Sequence, residues 1–234
     1  MSKYLPLESN PDMLTSFIRS LGVASPARFI DVWSFDEEML FMFPQPILAV
    51  CVLYPGSKVD ELRKSGLTIL PPEPKGSQCF YIRQRGEDVG NACGTIAVIH
   101  SVANNLDQLI LEPESPFLKF CQQSSLNAEQ LADELNKAEF LHAATTVVAS
   151  EGQTATPDAE DEVDSHFIAF VRNKASRLVE LDGQKPGPVD HGVCAPEEVF
   201  AKALRIVRED LMTKDPGNVN FCVLALTTGP EQDD

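Results

Sequence analysis

The chain has 234 residues, 43% of them hydrophobic and 23% charged, a globular balance that excludes wholesale disorder. Thirty-five Asp and Glu against 19 Lys and Arg leave a net charge of −16, which argues against nucleic acid or an anionic membrane surface as partner and suits a basic one. No apolar run reaches the ~18 residues of a membrane span, and the opening MSKYLPLESN lacks the apolar core of a secretory leader, so one domain over residues 1–234 with a cytoplasmic home is expected. The six cysteines, at 51, 79, 93, 121, 194 and 222, form no C-x-x-C pair. A disulfide framework or zinc site is therefore not expected, and each thiol is either core filler or reactive chemistry.

In chain order, Asn10 as cap and Pro11 at the first helical position open a helix whose stripe is Met13, Leu14, Phe17, Ile18 and Leu21, stopped by Gly22. Asp36 to Phe41 reads as a helical turn or two. Ile47 to Leu53 is apolar on both faces, the pattern of a central buried strand, and Pro55-Gly56 ends it. Glu61 to Ser77, rich in Pro, Gly and charge, reads as surface connection. Cys79 to Arg83 reads as a short strand, followed by helices over 92–103, from Ser115-Pro116, and over 127–145. Strands 166–171 and 177–181 flank the turn Asn173-Lys174-Ala175-Ser176, a helix covers 196–214, and 221–226 makes a last strand. Helices outnumber strands and the later strands join as hairpins, so the class is α+β.

One segment departs from the average. Ser150 to Ser165 carries Glu151, Asp158, Glu160, Asp161, Glu162 and Asp164 with no Lys or Arg; it cannot form a core and is expected to be an exposed loop, either a passive insertion or a part of the site that follows it.

Cys93 lies in Gly90-Asn91-Ala92-Cys93-Gly94-Thr95, where a loop becomes a helix. The positive end of the helix dipole and unpaired N–H groups there favour a thiolate, and the small Ala92 and Gly94 let a substrate backbone approach. A thiolate nucleophile wants an imidazole to exchange its proton. Among the four histidines, His100 sits two turns along the same helix and cannot reach the sulfur, His142 falls in a helix and His191 in a Pro/Gly loop. His166, opening a strand, is the best base. If Val171 pairs with Arg177 across the turn, His166 stands opposite Asp182, whose carboxylate can fix the ring; a one-residue slip would part them. Acyl transfer also needs an oxyanion donor beside the Cys93 N–H, and Gln84 is the side-chain amide just upstream.

The stretches Y-L-P-L-E-S-N-P (4–11), N-A-C-G-T-I-A-V-I-H-S-V-A-N-N (91–105), E-G-Q-T (151–154), H-F-I-A-F-V (166–171), E-L-D-G-Q-K-P (180–186) and H-G (191–192) resemble, in order and nearly end to end, the short-form ubiquitin C-terminal hydrolases. The resemblance implies a thiol protease that releases small adducts or short peptides from the ubiquitin C-terminus, with no metal or organic cofactor. It implies a knotted, papain-like α+β fold with a central antiparallel sheet between helix layers. It puts Cys93 on the nucleophile, His166 on the base and Asp182 on its orienting acid. The family's oxyanion glutamine lies six residues before the nucleophile, where this chain has Glu87; because F-Y-I-R-Q (80–84) matches the family's strand ending in that glutamine, the role is assigned to Gln84 with the extra residues looped out around Arg85-Gly86-Glu87. In the family the loop before the histidine crosses the active site and restricts the leaving group. The acidic stretch falls there, and the basic ubiquitin tail makes Glu151, Asp158, Glu160 and Asp161 candidates for steering it. Leu5, Pro6, Leu7, Glu8, Ser9, Asn10 and Pro11 are candidates for contact with ubiquitin, or else a strap held by core packing. The expected protein is a monomeric deubiquitinase of the cytoplasm. The alternative is a ubiquitin-binding protein with weak or lost catalysis, an option the irregular stretch 84–90 keeps open.

Overall fold

The structure is a computed structural model that describes residues 3–63, 66–72, 78–84, 89–123, 126–152 and 164–231. Glu87 and the acidic residues Asp158, Glu160 and Asp161 lie outside the described residues. Six strands form one antiparallel sheet in the order β1-β6-β2-β3-β4-β5: β1 Arg28–Asp31, β2 Ile47–Pro55, β3 Ser165–Arg172, β4 Arg177–Leu181, β5 Val189–Val193 and β6 Cys222–Thr227. The continuous apolar run of β2 puts it between β6 and β3, where both faces are covered.

Alternation along the strands divides the core in two. Ala49, Cys51, Phe167, Ala169, Val171, Leu224 and Leu226 face a larger cluster, built with helices α1 (Pro11–Ser20), α3 (Cys93–Ala103), α4 (Pro116–Cys121), α5 (Ala128–Lys137) and α6 (Glu139–Ser150). Val50, Val52, Tyr54, Ile168, Phe170, Val223 and Ala225 face the other. That side is covered by α2 (Gly56–Leu62), by α7 (Val199–Ile206) and by the π-helical turn Val207–Leu211 that continues it. Helices therefore flank the sheet on both sides, as expected.

Local signals acted where they were read. The Asn10 side chain accepts from the Asp12 and Met13 N–H groups at 2.9 and 3.3 Å, Pro11 is the first residue of α1, and Gly22 takes φ +90° to stop it. Asn127 and Gln130 form a reciprocal capping box on α5. The predicted 127–145 helix breaks at Ala138, which leaves helical geometry at ψ 83° and separates α5 from α6.

Other expectations need correction. β1 and β5 were not expected: each is short, and β5 runs through polar residues and Gly192, so neither carries an alternating apolar signature. Helix α2 begins at the Pro55-Gly56 break itself, and Arg63, inside the stretch read as surface connection, is only 2% exposed. Residues 78–84 form no strand. Two of their N–H groups are instead taken by side chains of α3 and its C-cap: Phe80 N donates to Asn104 Oδ1 at 2.7 Å and Ile82 N to His100 Nε2 at 2.9 Å. Four helical residues rise about 6 Å and two extended residues about 6.6 Å, so an i, i+4 pair on a helix can satisfy alternate amides of an extended segment.

The β3–β4 register also differs from the expected one. Arg172 faces Leu178 and Ala169 faces Leu181, two residues away from the predicted pairing. The chain reverses over three residues between Asn173 and Arg177, with Ser176 at φ +59° and Asn173 Oδ1 accepting from the Ala175 and Arg177 N–H groups at 3.1 and 2.9 Å. A two-residue shift preserves the face of every side chain. His166 and Asp182 thus remain on one face, as diagonal rather than direct neighbours.

Candidate active site

Cys93 is the first residue of α3, which no side chain caps; the sulfur is half-buried. The remainder of α3 is buried all round, from Gly94 to Val102, so it is a central spine fixed in position. His100, fully buried, is held neutral, its pKa pushed down to about 3 by burial, consistent with Nε2 accepting from Ile82. Together with Asn104 it pins the extended segment that ends at Gln84. The space beside Gly94, expected to admit a substrate backbone, is filled from within: a Cβ there would meet Leu7 Cβ and the Phe167 ring at 3.2 Å. The glycine lets β3 and the N-terminal segment close on the first turn of α3, beside Cys93.

His166 is the second residue of β3 and is 4% exposed. By alternation it shares a face with Tyr54 and Ile168, away from α3, and it reaches Cys93 at the end of the sheet, where the β3–β4 ladder has stopped at Leu181. Its Nε2 donates to Asp182 Oδ1 at 2.8 Å, which leaves Nδ1 for Cys93. The Gln184 amide approaches Nδ1 at 3.4 Å, and the Tyr54 ring stands edge-on at 5.7 Å between centroids. Burial alone pulls the ring's basicity down, but hydrogen bonds to Asp182 and Cys93 and their charges lift its pKa well above that of an ordinary histidine. Burial likewise opposes ionisation of Asp182, and His166 and Lys185 outweigh it, holding that carboxyl far below the usual range.

Behind this pair lies a buried charge cluster. Asp182 Oδ2 accepts from Lys185 Nζ at 2.5 Å, and the same ammonium lies 3.4 Å from Asp60 Oδ1 and 3.8 Å from Glu180 Oε1. Glu180 is fully buried and gripped by Arg63 through two bonds of 3.0 and 2.8 Å. His191 Nε2 donates to it at 3.0 Å. Although burial raises its pKa, these donors push Glu180 down to about 2. Asp60, His166 and Asp182 offer ligand atoms within 4.8 Å of one another, and the Lys185 ammonium lies against both of those carboxylates.

Gln84 lies between the two loops of the site. Its backbone N donates to Gly183 O at 2.8 Å and its Nε2 to Gly90 O at 3.4 Å, while Oε1 is buried without a hydrogen-bond partner among the described residues. Of the proposed ubiquitin-contact residues, Leu7 is 5% exposed and packed in the core, Asn10 caps α1, and Leu5, Pro6, Glu8, Ser9 and Pro11 are half-buried. The segment is also a strap: Tyr4 pairs with Gly90 in a parallel bridge, its hydroxyl donates to Leu135 O at 2.8 Å, and its ring stacks on His142 at 3.8 Å. Glu151 is exposed at the end of α6. Tyr54, Asp60, Arg63, Glu180, Gln184 and Lys185 had no role in the sequence reading. Three of them flank Asp182 within Glu180–Lys185, so proximity in the chain was an available signal; for Tyr54, Asp60 and Arg63 there was none.

The profile of the family described as ubiquitin carboxyl-terminal hydrolase, family 1, matches residues 4–213. The ubiquitin carboxyl-terminal hydrolase isozyme L1 of Equus caballus is 36% identical over 223 residues, covering 94% of this chain and 96% of the relative. A probable ubiquitin carboxyl-terminal hydrolase of Dictyostelium discoideum is 32% identical over 98% of this chain and 90% of its own length. The catalytic domain of Trichinella spiralis UCH37, solved bound to ubiquitin vinyl methyl ester, superposes with a TM-score of 0.77 over 99% of this chain and 97% of its own at 20% identity, a likeness of fold. With a family match along nearly the whole chain and relatives above 30% identity at nearly full length, this chain belongs to family 1 of the ubiquitin carboxyl-terminal hydrolases.

Proposed function

We propose that the protein is a deubiquitinating thiol hydrolase that releases small adducts and short peptides from the C-terminal glycine of ubiquitin, with Cys93 as nucleophile, His166 as general base and acid, and Asp182 holding the ring. The carrying observation is the continuous line from the Cys93 sulfur through the His166 ring to Asp182, seated where a helix presents its uncapped first turn. With Nε2–H committed to Asp182, Nδ1 holds the proton of the Cys93 thiol while the sulfur attacks the carbonyl carbon. The new oxyanion is met by the Cys93 N–H and by the Gln84 Nε2–H that Gly90 does not use, donors of a kind worth on the order of 10²–10³ in rate. Nδ1–H then protonates the leaving amine or alcohol, leaving a thioester. Water, deprotonated by the same nitrogen, releases the carboxylate and restores the thiol.

Several observations support ubiquitin as substrate: the family membership, the relative solved with ubiquitin vinyl methyl ester, and a net charge of −16 opposite in sign to a basic tail. The unit acts as a monomer in the cytoplasm and uses no metal or organic cofactor. Incubation with ubiquitin vinyl methyl ester is expected to give a single adduct at Cys93, absent from Cys93→Ala, and turnover of C-terminally tagged ubiquitin is expected to vanish with it. Tight binding of ubiquitin without labelling or turnover would instead identify a stoichiometric holder.

A further inference from the structure

A lysine ammonium that the mechanism does not use is half-buried among three carboxylates directly behind His166. Lys185 is 14% exposed at its side chain; its ammonium is reached by Asp182 and Glu180 at the end of β4 and by Asp60 from α2, and the Tyr81 hydroxyl donates to the carbonyls of Asp182 and Lys185 at 2.6 and 2.5 Å. Each acid has a second partner. Asp182 accepts from His166, Glu180 from Arg63 and His191, and Asp60 from the Tyr54 hydroxyl at 2.9 Å. A surface lysine in a loose ion pair is worth little, but this one spans the catalytic line and the Arg63–Glu180 pair. It also bonds the Asp182 oxygen that His166 does not use.

We propose that Lys185 is a positioning residue for the reaction: by pinning Asp182 Oδ2 it presents Oδ1 to His166 Nε2, and its charge sets how tightly the imidazole facing Cys93 holds its proton. The proposal rests on the function assigned above to His166. Without the ammonium, the negative charge of Asp182 and Asp60 falls on the nearest remaining cation, the imidazolium, and Asp182 keeps only the bonds to Oδ1, from His166 Nε2 and from the Gln184 N–H at 2.9 Å, with nothing among the described residues holding Oδ2. The imidazolium then becomes a weaker acid toward the leaving group and the ring less well aimed. A purely structural lysine would lower activity equally at every pH; a charge-setting one moves the profile.

The test follows His166 by the NMR shifts of its ring during a pH titration, alongside the pH profile of kcat/KM on tagged ubiquitin, in wild type, Lys185→Met and Lys185→Arg. Lys185→Met is expected to move the His166 titration and the alkaline limb upward together, by about half to one pH unit for a lost charge at this range, and to lower kcat at neutral pH about tenfold or more. Lys185→Arg keeps the charge and is expected to keep the limb near its wild-type position even where kcat falls, which gives a reading should the Met variant fold poorly. A His166 titration unchanged in Lys185→Met, or moved equally in both variants, overturns the proposal. A shifted titration in a protein without turnover leaves the role of Lys185 standing and refutes the assigned function.

Discussion

Substituting Gly56, a residue that touches no substrate in the proposed mechanism, is expected to disable the site. A Cβ at this position would lie 2.7 Å from His166 Cβ, 3.4 Å from Asp164 O and 3.6 Å from Asp60 Oδ2. Carbon atoms rest at about 3.5–4.0 Å, so Gly56→Ala demands a displacement of close to 1 Å between α2 and the backbone that carries His166. The local helical preference runs the other way, since alanine loses less chain entropy on folding and gains about 0.5–1 kcal/mol over glycine in a helix. Overpacking of a tight core costs about 1–3 kcal/mol. The two offset in part, leaving at most about 2.5 kcal/mol, so the melting temperature is expected to fall by no more than ~10 °C at about 2–4 °C per kcal/mol for a chain of this size. Catalysis has no such offset: a 1 Å misplacement of a catalytic group costs about 10²-fold. Steady-state turnover of tagged ubiquitin should therefore drop about a hundredfold in Gly56→Ala while a thermal melt and ubiquitin binding show a folded protein. Turnover within twofold of wild type would refute the claim that His166 is held by contact with this backbone.

Asp182→Asn preserves shape but removes the acceptor charge and disturbs the ring tautomer, and a kcat loss on the order of 10³–10⁴ with little change in KM is expected in stopped-flow assays. Gln84→Ala should lower kcat by on the order of 10²–10³ with ubiquitin affinity kept; a large loss in Glu87→Ala with none in Gln84→Ala would reverse the oxyanion assignment. Arg63→Met strands the buried Glu180 carboxylate, a loss of about 3–5 kcal/mol, seen as a fall of roughly 6–20 °C in melting temperature. Since Glu180 is held down to about 2 and Asp182 is lowered as well, the stability they contribute is complete above the unfolded carboxyl range near pH 4 and is lost as pH falls through the folded values. In Arg63→Met that acid loss should begin at higher pH. His166 works in the opposite sense: its raised pKa contributes stability that is full below about pH 6.5 and fades as pH rises through the folded value, so wild-type melts should decline toward alkaline pH and those of His166→Gln should decline less.

The chain by itself determined the elements whose causes are local. Asn10-Pro11 with Gly22 bounded the first helix, the two-sided apolar run 47–53 made the central strand, and the loop-to-helix passage at Cys93 singled out one sulfur among six. The sequence near Asp182 already held most of the acid's surroundings. It could not say that the hairpin closes two residues from the simplest pairing, because register is set by Asn173 bonding across its own turn; the face of Asp182 survived only because the shift was even. Tertiary structure alone decided the rest. His100 and Asn104 became the hydrogen-bond partners of an extended segment some twenty residues upstream, Gly94 made room for Leu7 and Phe167, and Arg63 went from an apparent surface stretch into the core. A buried charge is tolerable only where partners converge on it, and the convergence of Arg63 on Glu180 and of Asp60 and Asp182 on Lys185 brings together segments more than 100 residues apart, which no local pattern encodes.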